Sequence, residues 1–367
     1  MVKCLKVGVV GAGIIAQVMH LNYLRELSEH YEIAALCDIA PENAQANATA
    51  YGIPKVFSDW REMLREPIDA VFILTSGSHA PIAIEAAKAG KHVLVEKPMA
   101  FSVAEGKRMR DAADEAGVTL MVAYCKRYDP AFERFQEEAA SLKDPRLMRV
   151  TTFESPFLPY VRHYPLAPVA TPPADAVASW KAETAASITE AIGDADEFLR
   201  NTYHFVLLDT LVHEINTIRA VLGEPDSLDY VDLQKSSLNA MLRFGDVPVA
   251  IHWLDLPGIT RYKMEFAYYG PDKRITLSFP SPFLRSAPTT LDIEGGVEGT
   301  TRSWNTQEVT SYESAFKREL VAFHENVVNG TKPKTSADDA LHDLALCESI
   351  IRSFQTGQPV AQPSFVK

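Results

Sequence analysis

The amino-acid sequence predicts an α/β protein of two domains: a doubly wound parallel sheet over residues 1–125, then a second α/β domain with antiparallel strands over residues 126–367. Three observations predict it. Near the N-terminus a β-branched apolar run stops at a glycine and becomes helical within three residues. From Val2 to about Cys125, short apolar runs alternate with helical segments, the pattern of a parallel sheet with crossover helices. Between Leu228 and about Ile293 apolar residues instead recur with period two, as in Arg261 to Tyr269, which is the pattern of antiparallel strands with one wet face.

The opening element is Lys6-Val7-Gly8-Val9-Val10-Gly11-Ala12-Gly13-Ile14-Ile15-Ala16. Gly11 permits a tight turn, and Gly13, without a Cβ, lets the backbone amides at Gly13, Ile14 and Ile15 approach a pyrophosphate at the positive end of the new helix. Ala16 stands in the packing position of the G-x-G-x-x-G/A pattern. A second apolar run, Glu32 to Cys37, ends at Asp38, 25 residues beyond Gly13, near the place of a ribose-binding acid. A carboxylate there accepts hydrogen bonds from ribose hydroxyls and repels a 2′-phosphate, so NAD is expected over NADP. The competing reading is an ordinary loop with Asp38 as a strand cap.

Strands are expected at 4–10, 31–37, 69–75, 91–95 and 118–124. After Ile68 to Thr75, the Ser76-Gly77-Ser78-His79 turn opens an amphipathic helix that Gly90 stops. Thr75, Ser76 and His79 then lie on the cofactor side of the sheet, with helix capping as the alternative for His79. The fourth run, Lys91 to Val95, ends in Glu96-Lys97-Pro98, which delivers two charges to a crevice edge. The proline forces Lys97 towards extended geometry. A lysine there can hydrogen-bond a substrate hydroxyl beside a nicotinamide, whereas the bland reading is an ion pair of Glu96 with Lys97 or a neighbour.

These residues, with Tyr124-Cys125-Lys126-Arg127-Tyr128-Asp129-Pro130 and the tail from Glu319 to Gly357, resemble the glucose-fructose oxidoreductase/inositol dehydrogenase family. The resemblance spans most of the chain. It implies a Rossmann domain joined to an α/β domain on an open, mostly antiparallel sheet, and NAD(P)-dependent redox chemistry on sugars and polyols. The lysine of Glu-Lys-Pro belongs to the catalytic site in that family.

Beyond residue 130 the pattern predicts a helix over 131–142 and a strand from Arg146 to Glu154. Six prolines between Pro156 and Pro173 preclude a regular element. With Tyr160, Arg162, His163 and Tyr164 among them, this arm is expected to be a lid touching substrate or an oligomer contact. A helical stretch is expected over roughly 174–200. The run Phe205 to Leu222 then carries apolar residues at helical spacing up to Gly223. Asp209 and His213 fall at i, i+4, with Asn216 further along the same face. An imidazole titrates near neutrality and suits a general base, and Asp209 is placed to orient it or the substrate. The resemblance puts an aspartate and a histidine at this spacing in the substrate site, although Asn201 to Phe205 replaces the family's glycine-rich lead-in. A satisfied structural pair is the alternative. His213-Glu214 lacks the second histidine of a zinc-protease motif, and no metal site is expected. Trp253 and Trp304 are pocket, interface or core aromatics, and amphipathic helices are expected at 312–329 and 336–356.

Composition sets outer bounds. A net charge of −12 opposes a nucleic-acid partner. The four cysteines are scattered, which fits a reducing cytoplasm, and neither a signal-peptide core nor an apolar run of membrane-spanning length is seen. The expected protein is therefore a cytoplasmic NAD-dependent oxidoreductase acting on a secondary alcohol of a sugar, polyol or glycoside, a homodimer or homotetramer through the second sheet. Lys97, Asp209 and His213 are its candidate catalytic groups, with the lysine and imidazole flanking one carbinol oxygen. Tyr124, Lys126, Arg127, Tyr160, His163 and Asn216 are candidate substrate contacts, with a structural ion pair as the alternative for Arg127. Two rival readings are a redox-neutral enzyme with tightly held NAD, including glycoside cleavage by transient oxidation, and a non-catalytic NAD-bound sensor.

Overall fold

The computed structural model describes residues 3–167 and 170–363, so Pro168 and Val169 of the proline-rich arm lie outside the described residues. The chain forms two compact units. The first comprises Met1–Tyr124, Tyr164–Asp196 and Phe316–Leu344; the second comprises Cys125–His163, Glu197–Ala315 and Ala345–Lys367.

The sheet of the first unit contains β1 (Leu5–Val10), β2 (Tyr31–Cys37), β3 (Lys55–Phe57), β4 (Ala70–Ile73), β5 (His92–Glu96) and β6 (Leu120–Ala123). Its order is β3-β2-β1-β4-β5-β6, and all five pairings are parallel. Successive strands run outward from β1 in one direction and from β4 in the other, so the order reverses between these two. In a sheet of this order the binding crevice is expected at the carboxyl ends of these two strands. The five expected strands occur with ends moved by no more than two residues, because their apolar runs are buried on both faces. The short edge strand β3 was not expected, since three residues carry no periodicity. The Val103–Ala116 helix starts at Ser102, whose hydroxyl accepts from the Glu105 amide at 3.0 Å, and stops at left-handed Gly117.

The expected helical stretch over 174–200 is two helices, Ala174–Ile192 and Glu197–Asn201. The first belongs to the first unit and is fastened along the Val103–Ala116 helix. Glu190 accepts from the Ser102 hydroxyl at 2.7 Å and from the Arg108 guanidinium at 3.2 Å.

The sheet of the second unit adds β7 (Leu147–Glu154), β8 (Ser227–Gln234), β9 (Ser237–Phe244), β10 (Val247–Asp255), β11 (Lys263–Tyr269), β12 (Lys273–Phe279), β13 (Thr290–Gly296), β14 (Ser303–Glu308) and β15 (Val360–Ala361). Its order is β14-β13-β12-β11-β7-β10-β9-β8-β15. Every pairing is antiparallel except β7 with β10. That exception follows from the long helical stretch between the two strands, since parallel neighbours need such a crossover. Along β9, buried residues alternate with more exposed ones, so one face is covered, as the period-two pattern requires. Trp253 on β10 is core, and the half-exposed Trp304 on β14 lies over Gly295.

The run expected as one α-helix over 205–222 is a π-helix, Thr202–Leu211, followed by an α-helix, Val212–Leu222. The wider turn changes which side chains share a face, and apolar spacing does not distinguish the two helix types over so short a stretch.

Candidate active site

In the first unit, Gly11 has φ +97°, and a Cβ there would come within 2.9 Å of the Leu74 and Thr75 backbone. Glycine is what lets the turn after β1 press against the end of β4. Gly13 faces the opposite situation: a Cβ on it would meet nothing within 4 Å. That open space lies where the helix beginning at Ile14 presents amides with no helical acceptor behind them. The cradle fits an anionic diphosphate.

Asp38, just past β2, is tied to this turn. Its Oδ2 accepts from the Ala12 amide at 2.8 Å and from the Asn43 amide group at 3.1 Å, and its Oδ1 accepts from the Ala40 amide at 2.9 Å. Three donors leave part of a carboxylate's four-site capacity for a ribose hydroxyl. Asn43, 3% exposed, also donates to the Ala12 carbonyl, so it locks the acid to the glycine turn.

At the ends of β4 and β5 the structure corrects the reading of His79. Its side chain makes no helix cap. The ring is 2% exposed and places Nδ1 at 2.9 Å from the Pro98 carbonyl and Nε2 at 2.7 Å from the Thr75 carbonyl. Both nitrogens are thus used to shape the loop rather than to meet a cofactor. Thr75 is half-buried with its hydroxyl enclosed, and Ser76 is exposed. The peptide bond from Lys97 to Pro98 is cis.

The ion pair of Glu96 with a neighbour, the alternative reading of this strand end, is present, and the neighbour is His20. One oxygen lies 2.7 Å from Nε2 of the wholly buried His20, and the other accepts from the Lys97 backbone amide at 3.1 Å. Burial alone would raise this carboxyl, but the His20 hydrogen bond and charge and the Lys97 charge outweigh it and hold it below the ordinary range. Tyr124, at the edge of this unit, is 1% exposed, so its ring is core rather than an open substrate contact.

In the second unit, Lys126 is 6% exposed and its ammonium lies 5.8 Å from the Phe279 ring centroid. Arg127 donates to Asn216 at 3.1 Å, so these two candidate contacts hold each other. Tyr160 donates to the Thr260 carbonyl and accepts from the Tyr262 amide at 2.8 Å, which pins the start of the arm, while His163 is exposed. His213 is half-buried in the first turn of the Val212–Leu222 helix. Asp209 is exposed on the π-helix, where its charge acts on His204, one π-turn earlier. His204 stacks on Phe205 with centroids 4.1 Å apart, and its burial lowers its proton affinity against the opposing pull of Asp209.

Sequence reasoning missed Glu214, His20, Asn43 and His204. Glu214 is fully buried, hydrogen-bonds the Thr152 hydroxyl, and is pushed up to about 7 by burial, against the opposing Lys126 charge and Thr152 bond. Its position beside His213 was the available signal. The partner of His20 lies 76 residues away, which no local pattern discloses. Among the described residues no group of three or more His, Cys, Asp or Glu is arranged to hold a metal ion, and no helix is long and apolar enough to cross a membrane.

Comparison with known proteins agrees with this architecture. The chain is 23% identical over 369 residues to myo-inositol 2-dehydrogenase of Thermotoga maritima, covering 97% of this chain and 98% of the relative. It is 30% identical over 230 residues to levoglucosan dehydrogenase of Pseudarthrobacter phenanthrenivorans, covering 60% of this chain and 54% of that one. A solved levoglucosan dehydrogenase in complex with NADH and L-sorbose superposes with TM-score 0.75 at 19% identity, covering 99% of this chain and all of the other, which shows a shared fold. Residues 5–124 match the model described as the oxidoreductase family with an NAD-binding Rossmann fold. Residues 5–124 are therefore assigned to the oxidoreductase family with an NAD-binding Rossmann fold, and the chain along its whole length is similar to an inositol dehydrogenase.

Proposed function

We propose that the protein transfers hydride between NAD and a secondary alcohol of a sugar, polyol or glycoside. The single observation that carries this reading is the crevice of the first unit: an open diphosphate cradle at Gly13, an acid at Asp38 tied to it, and a strand that ends in Glu96-Lys97. The Gly11 to Ile15 turn would hold the pyrophosphate, and Asp38 the adenosine ribose, which favours NAD over NADP. NAD when bound supplies the hydride acceptor. Lys97 donates a hydrogen bond to the carbinol oxygen and steadies its charge, and His213 takes the hydroxyl proton as general base, with Asp209 in an orienting role. Lys126, itself sheltered, contributes a cation on the substrate side, whereas Arg127 and Asn216 stiffen the wall they form together. The polyol and anhydrosugar names of the relatives support the substrate class. The scattered free cysteines support a reducing cytoplasm, and the one-sided second sheet supports a homodimer or homotetramer.

The test is NADH formation at 340 nm across polyols, aldoses and glycosides, with Lys97→Ala and His213→Ala alongside. Each substitution is expected to lower kcat by at least about 100-fold, the usual loss on removing a positioned acid or base. Full activity in either variant overturns the assignment of that residue.

A further inference from the structure

We infer that His20 is a positioning residue for Lys97, acting through a single carboxylate, Glu96. The observation is a chain of contacts wholly inside the first unit. His20 lies on the helical turn Ala16–His20, continuous with the helix that leaves the Gly11-Ala12-Gly13 turn. Its ring is completely enclosed and packs edge-on against Phe316, with centroids 5.6 Å apart and planes at 85°. The nitrogen Nε2 donates to Glu96 Oε1 at 2.7 Å, and Glu96 Oε2 takes the backbone N–H of Lys97 at 3.1 Å. One carboxylate therefore ties the helix that follows the diphosphate cradle to the residue where β5 delivers its lysine.

The arrangement makes physical sense only if Glu96 is ionised. A buried carboxylate without a donor takes up a proton, and a protonated acid no longer offers both oxygens as acceptors. The charged or titratable groups set against Glu96 are His20 from the helix and Lys97 from its own strand, and both favour the ionised form. Nδ1 of His20 is buried with no hydrogen-bond partner among the described residues. The one polar task of this ring is then to donate to Glu96. Without it, burial favours the protonated acid, the Lys97 amide loses its charged acceptor, and the strand end that aims the ammonium relaxes. A misplacement of about 1 Å at a reacting group costs roughly 100-fold in rate.

The inference rests on the assignment of Lys97 to the reacting centre, and the experiment separates the two. His20→Leu, His20→Gln, Glu96→Gln and the His20→Leu/Glu96→Gln pair are compared with Lys97→Ala on the best polyol from the screen. NADH affinity is read in parallel by fluorescence titration. His20→Leu is expected to lower kcat by about 10- to 100-fold, within the loss just cited. It should also move the acid limb of log kcat against pH upward, with NADH affinity changed less than about threefold, or about 0.7 kcal/mol. His20→Gln, whose amide N–H can replace Nε2 as donor, should restore most of the rate and return the acid limb.

The double variant should be no slower than either single one, because both break the same link. A second readout needs no turnover. The depressed Glu96 ionisation stabilises the fold above the ordinary carboxylate range, and that contribution is lost as pH falls through its folded value. The gap in denaturant midpoint between wild type and His20→Leu should therefore be widest at neutral pH and narrow as pH falls through and below the ordinary carboxylate range. A His20→Leu protein that is merely less stable, with normal kcat, an unmoved acid limb and a pH-independent gap, overturns the inference. Should that variant fail to fold, Glu96→Gln with wild-type kcat overturns it equally. Normal turnover by Lys97→Ala instead removes the assignment on which it rests.

Discussion

Replacing Glu214 by glutamine should stabilise the protein above neutral pH and do little below pH 5. The carboxyl is fully buried, with one oxygen on the Thr152 hydroxyl and the other lacking a partner among the described residues. Burial lifts its ionisation from 4.5 to about 7, against opposing help from Lys126 and Thr152, with Glu154 adding to the rise. An acid whose folded value is raised favours folding while protonated, and that advantage is lost as pH climbs from its unfolded value through its folded one. At roughly 1.4 kcal/mol per unit, the shift amounts to about 3 kcal/mol of stability forfeited between pH 4.5 and pH 8. A glutamine of the same shape never ionises, so it escapes the loss and retains an oxygen for Thr152. Guanidinium unfolding at pH 5, 6, 7 and 8.5 measures this directly. The expected difference in unfolding free energy grows with pH to about 3 kcal/mol in favour of the variant. A constant offset across that range would refute the claim that Glu214 carries a proton at neutrality.

Three further outcomes follow from the geometry. Gly77→Ala would set a Cβ 1.5 Å from Trp180 Nε1 at φ +88°, so it should destabilise by at least about 1–3 kcal/mol in thermal or denaturant unfolding, and the Gly77→Ala/Trp180→Ala pair should recover part of the loss. Asp38→Asn weakens the acceptor of the Ala12 and Ala40 amides, and on the proposed ribose role NADH titration should show an affinity about 10- to 100-fold lower, with NADPH discriminated against less. Tyr160→Phe loses two hydrogen bonds to the 260–262 turn and should cost about 1–2 kcal/mol of stability with KM unchanged, whereas a large rise in KM would restore Tyr160 as a substrate contact.

Much of the first unit was legible because its signals are local. Gly11 announces a turn only glycine can make, Gly13 leaves open space beside it, the apolar runs of β1, β4 and β5 are buried on both faces, and a charged Glu96-Lys97 at the end of such a strand has no packing rationale. The period-two runs likewise disclosed the second sheet, though not the parallel β7 and β10 pair, whose register depends on everything between them. The helix carrying Asp209 and His213 was legible as a helix but not in its pitch. Asp209 and His204 are brought into register by a π-turn, an i, i+5 relation that a 3.6-residue reading does not reveal. His79 was misplaced because a histidine at a helix start has the same local appearance whether it caps, binds a ligand or bridges two carbonyls.

By itself, then, the sequence determined the glycine turn after β1 and the class of both sheets, and it singled out Asp38 and Lys97 as candidates, since each depends on the chemistry of a few adjacent residues. Tertiary structure alone decided which buried polar groups are paired: His20 with Glu96, Arg127 with Asn216, Glu214 with Thr152. Those pairings join residues far apart in the chain, and their energies come from burial and from the field of neighbouring charges, quantities that exist only once the chain has closed around them.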